Sequence, residues 1–390
     1  MHSKRPRGLI VSPYHAASHA IWVEQLIANV PLVQWRVLTM PARFFNWRIR
    51  GNPLSLVYED ENVGAFNDLD LLVVTSMTDL ASLRGLLPQL NGVPSMIYFH
   101  ENQFAYPSSR EQDVERKLEP KMVTLYGALA ADVVVFNSNF NRDTFIAGAS
   151  KMLAAFPDHA PLNCLELIAN KSAVIPVPLP SELHQSKKAG RGDTASGFLK
   201  VAWNHRWEYD KGPERLARII ELADQIAPGL QFYIFGQSFR QTPNGFTQLA
   251  AASNPRIKHM GYIPDQKTYW QQLAQCDVVL STALHDFQGL AVLEAVALGC
   301  IPVVPDRLAY QEFIPAKYRY ASYPDDLEAE CTAVVECLSS LQDLQIKGEL
   351  PRVPLPDCVD TEHLKKQYRR VIDRLLAHSG FALDGDSMLS

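Results

Sequence analysis

The chain of 390 residues lacks several things that would have settled its class at once. It has no apolar run near the length of about 20 residues that a bilayer-spanning helix needs. Its basic opening, MHSKRPRGLIVSPY, carries only Leu9 to Val11 as an apolar stretch, too short for the core of a secretory signal. A cytoplasmic protein is therefore expected. The six cysteines form no CxxC pair and no metal-like spacing with histidine, which argues for reduced thiols rather than a disulfide framework or a zinc site. Basic residues are not in excess: 37 Lys and Arg against 42 Asp and Glu give a net charge of −5. That balance excludes nucleic-acid binding by bulk charge, but not by a local basic patch. There is no GxGxxG after the first apolar run, so a dinucleotide phosphate site is not expected there. Asp68-Leu69-Asp70 has the letters of a metal-binding DxD motif. It precedes an apolar strand, at the end of a sheet where ligands do not bind, and is set aside.

What the sequence does have is alternation. Short β-branched runs recur at Gly8 to Ser12, Gln34 to Thr39, Leu71 to Ser76, Met96 to Phe99, Asp132 to Phe136 and Ala173 to Val177. A second series follows at Leu199 to Trp203, Gln231 to Phe235, Ile257 to Met260, Val278 to Ser281 and Ile301 to Val304. Helical spacing fills the gaps, as at Ala20 to Asn29, with Ser18 or His19 as its cap, and Asp360 to Ala377. Buried strands alternating with helices imply mainly parallel sheets. Pro176 to Gly197 is rich in Pro, Gly and polar residues and reads as a linker. The expectation is an α/β protein of two Rossmann-like domains: 1–180, a linker 181–197, then 198–375, with 376–390 as a tail.

The chemistry concentrates in the second series. Val278 to Pro305 reads as strand, tight polar turn, helix, glycine stop and strand, with Gly299 where a helix end wants positive φ. Glu294 is the one acid in an apolar helix, costly to bury unless paired or bonded. It stands where it can accept from a ribose diol. Asp286 sits in the loop mouth, suited to sugar hydroxyls. The backbone amides of Phe287, Gln288, Gly289 and Leu290 at the helix start suit phosphate. In WNHRWEYDKGPE, a strand runs into Asn204, His205 and Arg206, and Lys211-Gly212-Pro213 starts a helix with Asp210 as cap. Arg206 and Lys211 flank one turn and suit a pyrophosphate.

The first series ends its strands in polar clusters too. His100-Glu101-Asn102-Gln103 and Asn137-Ser138-Asn139 both follow buried runs. In Pro41 to Pro53, a surface loop, Arg43, Arg48 and Arg50 interleave with Phe44, Phe45 and Trp47. Arginines with aromatics suit phosphates and stacked bases, although the aromatics would equally anchor a loop to the core.

Asp286 and Glu294, with seven residues between them, resemble the acid-x7-acid signature of retaining GT-B glycosyltransferases of family four, usually Glu-x7-Glu. Arg206 with Lys211-Gly212 resembles that family's diphosphate-binding pair. More narrowly, YFHENQFAYP, ADVVVFNSNFN, the Pro41 to Trp47 segment and HDFQGLAVLEAVALGC together resemble the tRNA-queuosine α-mannosyltransferase family. The match runs from the first strand to about Pro315. Two departures are visible: Asp286 shortens the first acid by one methylene, and Ala16-Ala17 stand where the family tends to have glycines.

The resemblance implies the GT-B fold, two Rossmann-like βα domains facing across a cleft that closes about the linker. It implies GDP-mannose as donor, queuosine in the anticodon of tRNA-Asp as acceptor, retained configuration, no metal or other cofactor, and no membrane partner. It implies catalytic roles for His100, Arg206, Lys211 and Asp286, and donor binding by Asn204, His205, Phe287, Gln288, Gly289, Leu290 and Glu294. Acceptor binding falls to His15, Ser18, His19, Arg43, Trp47, Arg48, Glu101, Asn102, Gln103, Asn137 and Ser138. Three other readings stay open on the residues alone. They are a GT-B enzyme with another nucleotide sugar and a lipid or saccharide acceptor, a non-catalytic tRNA-binding protein with a vestigial nucleotide site, and a nucleotide-sugar epimerase.

Overall fold

The computed structural model describes residues 5–62, 64–106, 114–186, 197–237, 245–246, 249 and 254–377. The chain divides into two compact units, Met1–Pro178 with Cys358–Ser390, and Leu179–Asp357.

In the first unit, β1 (Arg7–His15), β2 (Gln34–Pro41), β3 (Leu71–Thr75), β4 (Ser95–Phe99), β5 (Val133–Phe136) and β6 (Ser172–Val174) form one sheet in the order β2-β1-β3-β4-β5-β6. Every pairing is parallel. β3 and β4 are buried along their whole length, as continuous apolar runs in a helix-covered parallel sheet must be. Helices α1 (Ala17–Asn29), α4 (Leu80–Leu86), α5 (Val114–Ala130), α6 (Asn139–Ala154) and α7 (Cys164–Asn170) connect them. Leu9, Leu72, Ile97, Phe99, Phe136 and Phe145 centre the core.

Several expectations are corrected here. Pro13 to His19, which follow the first apolar run and read as a loop in the sequence, are not one: β1 runs to His15 and α1 begins at Ala17. Neither Ser18 nor His19 caps α1; the cap position is Ala16, without a side-chain bond. Pro41 to Pro53 is not a loop either, but carries α2 (Phe45–Arg50) and the start of α3 (Asn52–Tyr58). The last helix, Thr361–Ala377, belongs to the first unit rather than the second. Its buried Tyr368 donates to the Pro176 carbonyl at 3.1 Å and accepts from Trp22 Nε1 at 3.0 Å. The helix packs against α1, where Arg369 Nε also donates to the Asn29 carbonyl at 3.1 Å. Of the expected linker, Ser181–Ser186 forms a short 3₁₀ turn and 187–196 lie outside the described residues, as do 378–390 of the expected tail.

In the second unit, β7 (Leu199–Trp203), β8 (Leu230–Phe235), β9 (Ile257–Gly261), β10 (Val278–Leu280), β11 (Ile301–Pro305) and β12 (Arg319–Tyr320) order as β12-β11-β10-β7-β8-β9. Counted within the unit this is 3-2-1-4-5-6 read from β9, the doubly wound order. The order reverses between β7 and β10. At such a reversal the two flanking connections leave toward opposite faces and open a crevice at the strand C-termini. The loops after β7 and β10 carry Asn204 to Lys211 and Ser281 to Gly289. In the first unit the reversal falls between β1 and β3, whose C-terminal ends carry His15 and Ser76.

Candidate active site

The strand ends of the second unit bring Arg206, Asp210, Lys211, Asp286 and Glu294 onto two neighbouring loops and one helix. Gly212 fixes the first loop. It sits at φ 66, and a Cβ there would stand 2.3 Å from the Thr282 carbonyl oxygen. It is also the N-cap of α8 (Pro213–Ile226), so Asp210 is not the cap, as had been expected. The Asp210 carboxylate turns instead to Lys211 Nζ, at 3.1 Å.

Lys211 is buried and donates to the His285 carbonyl at 2.7 Å, with Asp286 Oδ2 at 3.6 Å. Burial works against its charge, but Asp286 and Asp210 more than compensate and its pKa is raised. Burial would likewise lift Asp286. Lys211, His205 and the Gly289 and Gln288 amides outweigh it and bring that pKa down to about 2. The pair is therefore ionised at neutral pH. His205 and His285 are pushed down to about 4, chiefly by burial and then by Lys211. Both are neutral near pH 7.

The start of the helix Leu290–Ala297 differs from expectation in one respect. Asp286 Oδ1 accepts from the Gly289 amide at 2.8 Å and the Gln288 amide at 3.3 Å. These two donors are engaged within the chain, so any phosphate must use the amides further along the first turn. Asp286 is thus a turn-builder as well as a charged group. Gly289, at φ 76, has Tyr310 packed where a Cβ would stand, 2.5 Å from the ring. A hydrogen-bonded chain backs Asp286: His205 Nε2 to Ser281 Oγ at 2.8 Å, Ser281 Oγ to Tyr310 Oη at 2.8 Å, and Tyr310 Oη to Asp286 Oδ2 at 3.3 Å. Sequence reasoning missed Ser281 and Tyr310. The polar Ser281-Thr282 break after an apolar run was a visible signal; Tyr310 offered none.

Glu294 is 9% exposed, and no described residue donates a hydrogen bond to it. Burial alone raises its pKa to about 7. Asn204 Nδ2 is engaged by the Ala291 carbonyl at 2.8 Å and Tyr269 Oη at 3.0 Å, while its Oδ1 is buried without a partner. Arg206 is 52% exposed in its side chain and lies 3.1 Å from Glu208.

The first unit behaves differently. Asn102 Nδ2 donates to Asn141 Oδ1 at 2.9 Å and to Thr144 Oγ1 at 3.0 Å. Its Oδ1 accepts from the Phe104 and Ala105 amides. Asn137 Nδ2 donates to the His100 carbonyl, and Asn137 Oδ1 accepts from Asn141. Ser138 caps α6 through the Asn141 amide at 2.9 Å. Asn102, Asn137 and Ser138, expected to bind the acceptor, fasten the loops after β4 and β5 to each other. Asn141, overlooked in the sequence, is the hub. Arg48 is buried and its Nε donates to the Pro41 carbonyl at 3.1 Å.

His100 is buried against His19 (ring centroids 3.9 Å apart), Tyr98 and Trp22, and its Nε2 has no partner among the described residues. Burial, then His19 and His15, hold its pKa well below the ordinary value. His19 lies 3.9 Å from Glu101, and His15 Nδ1 is 3.1 Å from Ser12 Oγ. Gln103 Nε2 approaches Met77 Sδ at 4.0 Å. Ser18 lies in the first turn of α1. Thr75 Oγ1 and Ser76 Oγ, at the end of β3, are also buried without partners. Arg43 and Trp47 are at the surface. Asp68 and Asp70 pair with Arg7 at the start of β3, away from the strand C-termini. Among the described residues no group of three His, Cys, Asp or Glu is arranged to hold a metal, and no helix is long and apolar enough to cross a membrane.

Residues 7–179 match the family described as tRNA-queuosine alpha-mannosyltransferase N-terminal, and residues 200–340 match glycosyl transferases group 1. A tRNA-queuosine alpha-mannosyltransferase of Drosophila melanogaster is 30% identical over 325 residues, covering 82% of this chain and 85% of the relative. Among solved structures, sucrose-phosphate synthase of Thermosynechococcus elongatus is similar with a TM-score of 0.65 at 15% identity, covering 96% of this chain and all of that one. Anabaena HepE in complex with UDP gives 0.63 at 14% identity, covering 95% and 100%. At such identities the likeness shows the fold, the two-unit α/β arrangement called GT-B.

Proposed function

The chain belongs to the tRNA-queuosine alpha-mannosyltransferase family and is a glycosyltransferase, and from that premise we propose that it moves mannose from GDP-mannose to the cyclopentenediol of queuosine in the anticodon of tRNA-Asp. The acceptor half of this reading is supported by the family match over residues 7–179. The donor half is carried by one observation: Glu294 is a buried carboxylate to which no described residue donates, one turn inside a helix whose start faces the strand reversal. A ribose diol supplies the two O–H donors that it lacks.

The remaining roles follow from the geometry. Arg206, half-exposed, is placed to meet diphosphate charge, together with the amides beyond Gly289 at the start of the helix Leu290–Ala297. Lys211, held between Asp210 and Asp286, keeps Asp286 ionised so that it accepts from mannose hydroxyls. The hydrogen-bonded Ser281 and Tyr310 fix its second oxygen. The neutral His100 offers an unengaged Nε2 to substrate. In the retaining transfer, the bond between the anomeric carbon and the phosphate oxygen breaks as an acceptor hydroxyl bonds the same face. The hydroxyl proton passes to the departing phosphate. We propose that this requires no metal, since the leaving charge is met by Arg206 and the helix start. The acceptor places the reaction in the cytoplasm, with tRNA.

The test is direct. The protein is incubated with GDP-mannose and tRNA from queuosine-containing cells, and the digested nucleosides are weighed. A queuosine nucleoside heavier by one hexose is expected. No hexose on queuosine, with consumption of a different nucleotide sugar, would overturn the reading.

A further inference from the structure

One surface of the first unit lies outside the two strand-end clusters. Between Glu24 and Glu59 the sequence has four arginines and no acid, in a chain whose net charge is −5. The segment folds as β2, α2 and α3. The inner side of α2 is anchored: Ile49 packs with Met77 and Val123, and Phe45 meets the Tyr14 ring edge-on at 6.2 Å. The outer side carries Phe44, 71% exposed, and Trp47, 50% exposed.

The Trp47 ring is held in place, and the Phe44 backbone is fixed in a costly conformation. Trp47 Nε1 donates to Ser55 Oγ at 3.2 Å, and the indole lies against Gly51, where a Cβ would stand 2.5 Å from the ring. One face of the indole is therefore pressed on backbone. Phe44 sits at φ 55, ψ 56, the left-handed region that a bulky residue enters at a cost of about 1–3 kcal/mol. Strain on an exposed phenylalanine has no packing return inside the fold. The Arg43 guanidinium lies 5.5 Å from the Phe44 ring centre. Arg48 and Arg50 are occupied, by the Pro41 carbonyl and by Asp79 at 2.5 Å.

We propose that Phe44 and Trp47, with Arg43, form a stacking platform for unpaired bases of the RNA substrate. The inference rests on the tRNA reading above and assigns the surface that holds the RNA around the modified nucleotide. Fixed aromatic rings bind bases without regard to sequence, because every base has a flat face. An adjacent guanidinium meets the phosphates between them. A helical stem, whose bases are already stacked, gains nothing from the platform.

The test uses the full chain without GDP-mannose, so that it is independent of the chemistry. Binding of a labelled anticodon stem-loop RNA and of a blunt duplex of the same stem is measured by fluorescence anisotropy. Phe44→Gly and Trp47→Ala are each expected to weaken the stem-loop by about tenfold, the scale of losing one stacked base. Duplex binding should stay unchanged, and Trp47→Phe should stay within about threefold of the native protein. Because glycine accepts positive φ without strain, Phe44→Gly should hold or raise the melting temperature, which separates lost binding from lost folding. Native stem-loop affinity in both variants would overturn the proposal, as would an equal loss on the duplex. A native dimer that Phe44→Gly converts to monomer, with RNA binding untouched, would assign the surface to a second copy instead. If the variants lose RNA while the native protein transfers no hexose, the platform stands and the mannosyl reading falls. Native transfer that neither variant impairs sinks the platform alone.

Discussion

Two polar clusters sit at the C-terminal ends of parallel strands, and they differ in what their atoms do. After β4 and β5, Asn102, Asn137, Ser138 and Asn141 bond to one another and to the chain. After β7 and β10, Asp210, Lys211 and Asp286 are also held together, yet among the described residues no donor reaches Glu294 or the buried Asn204 carbonyl oxygen, and Arg206 reaches solvent. A buried polar group without a partner costs free energy, so it persists where a ligand completes it. Position at a strand end is shared by both clusters. Hydrogen-bond satisfaction separates the second cluster from these four side chains, though not from neighbouring His100, whose Nε2 has no partner among the described residues.

Four substitutions would break or sharpen this contrast. Lys211→Ala leaves Asp210 and Asp286 buried without their cation. It should lower unfolding stability in urea by about 3–5 kcal/mol and abolish transfer. Arg206→Ala touches an exposed side chain. It should cut turnover by about a hundredfold while the melting temperature stays put, on the scale of one charge-stabilising group. A change in turnover below about threefold would remove Arg206 from the site. Asn102→Ala removes a fully engaged amide and should cost stability of about 1–3 kcal/mol, with no change in the KM for tRNA at a temperature where the variant is folded. A raised KM without lost stability would show that the first cluster does bind the acceptor. Tyr310→Phe deletes the long hydrogen bond to Asp286 and the shorter one to Ser281, and a few-fold loss in turnover is expected, near the value of about 1 kcal/mol for such a bond.

Much of the framework was legible. Continuous apolar runs of strand length, broken by helical spacing, gave the parallel sheets of both units, and the lone acid in an apolar helix marked Glu294. Other features were not legible, for physical reasons. The amphipathic face of Thr361–Ala377 shows that it covers a core but not which one; Tyr368, bonded to Trp22 and the Pro176 carbonyl, and Arg369, donating to the Asn29 carbonyl, assign it to the first unit. The roles of Asn102 and Asn137 depend on Asn141, and an asparagine's partners are set by tertiary contact rather than spacing. Arg48 and Arg43 looked alike in sequence, yet a short helix turned one inward and left the other exposed. The Asp286-x-x-Gly289 turn could have been read, since an Asp commonly accepts from amides two and three residues on.

The sharpest test lies in Glu294. Its pKa in the folded chain, about 7, stands above that of an ordinary glutamate. The free protein therefore binds more protons than the unfolded chain between the two values. The stability that this provides is present at low pH and lost as pH rises to about 7, by roughly 3 kcal/mol if the whole shift is felt. Glu294→Gln should remove that slope. The ionised carboxylate accepts from both ribose hydroxyls, so GDP binding through Glu294 should tighten from pH 6 to pH 8. In Glu294→Gln it should be weaker by about tenfold at pH 8, the value of a hydrogen bond to a charged group. Calorimetry of GDP binding to the native protein and to Glu294→Gln at both pH values decides it. The account predicts a steeper pH dependence in the native protein than in the variant. Equal affinities for the two proteins at pH 8 would contradict it.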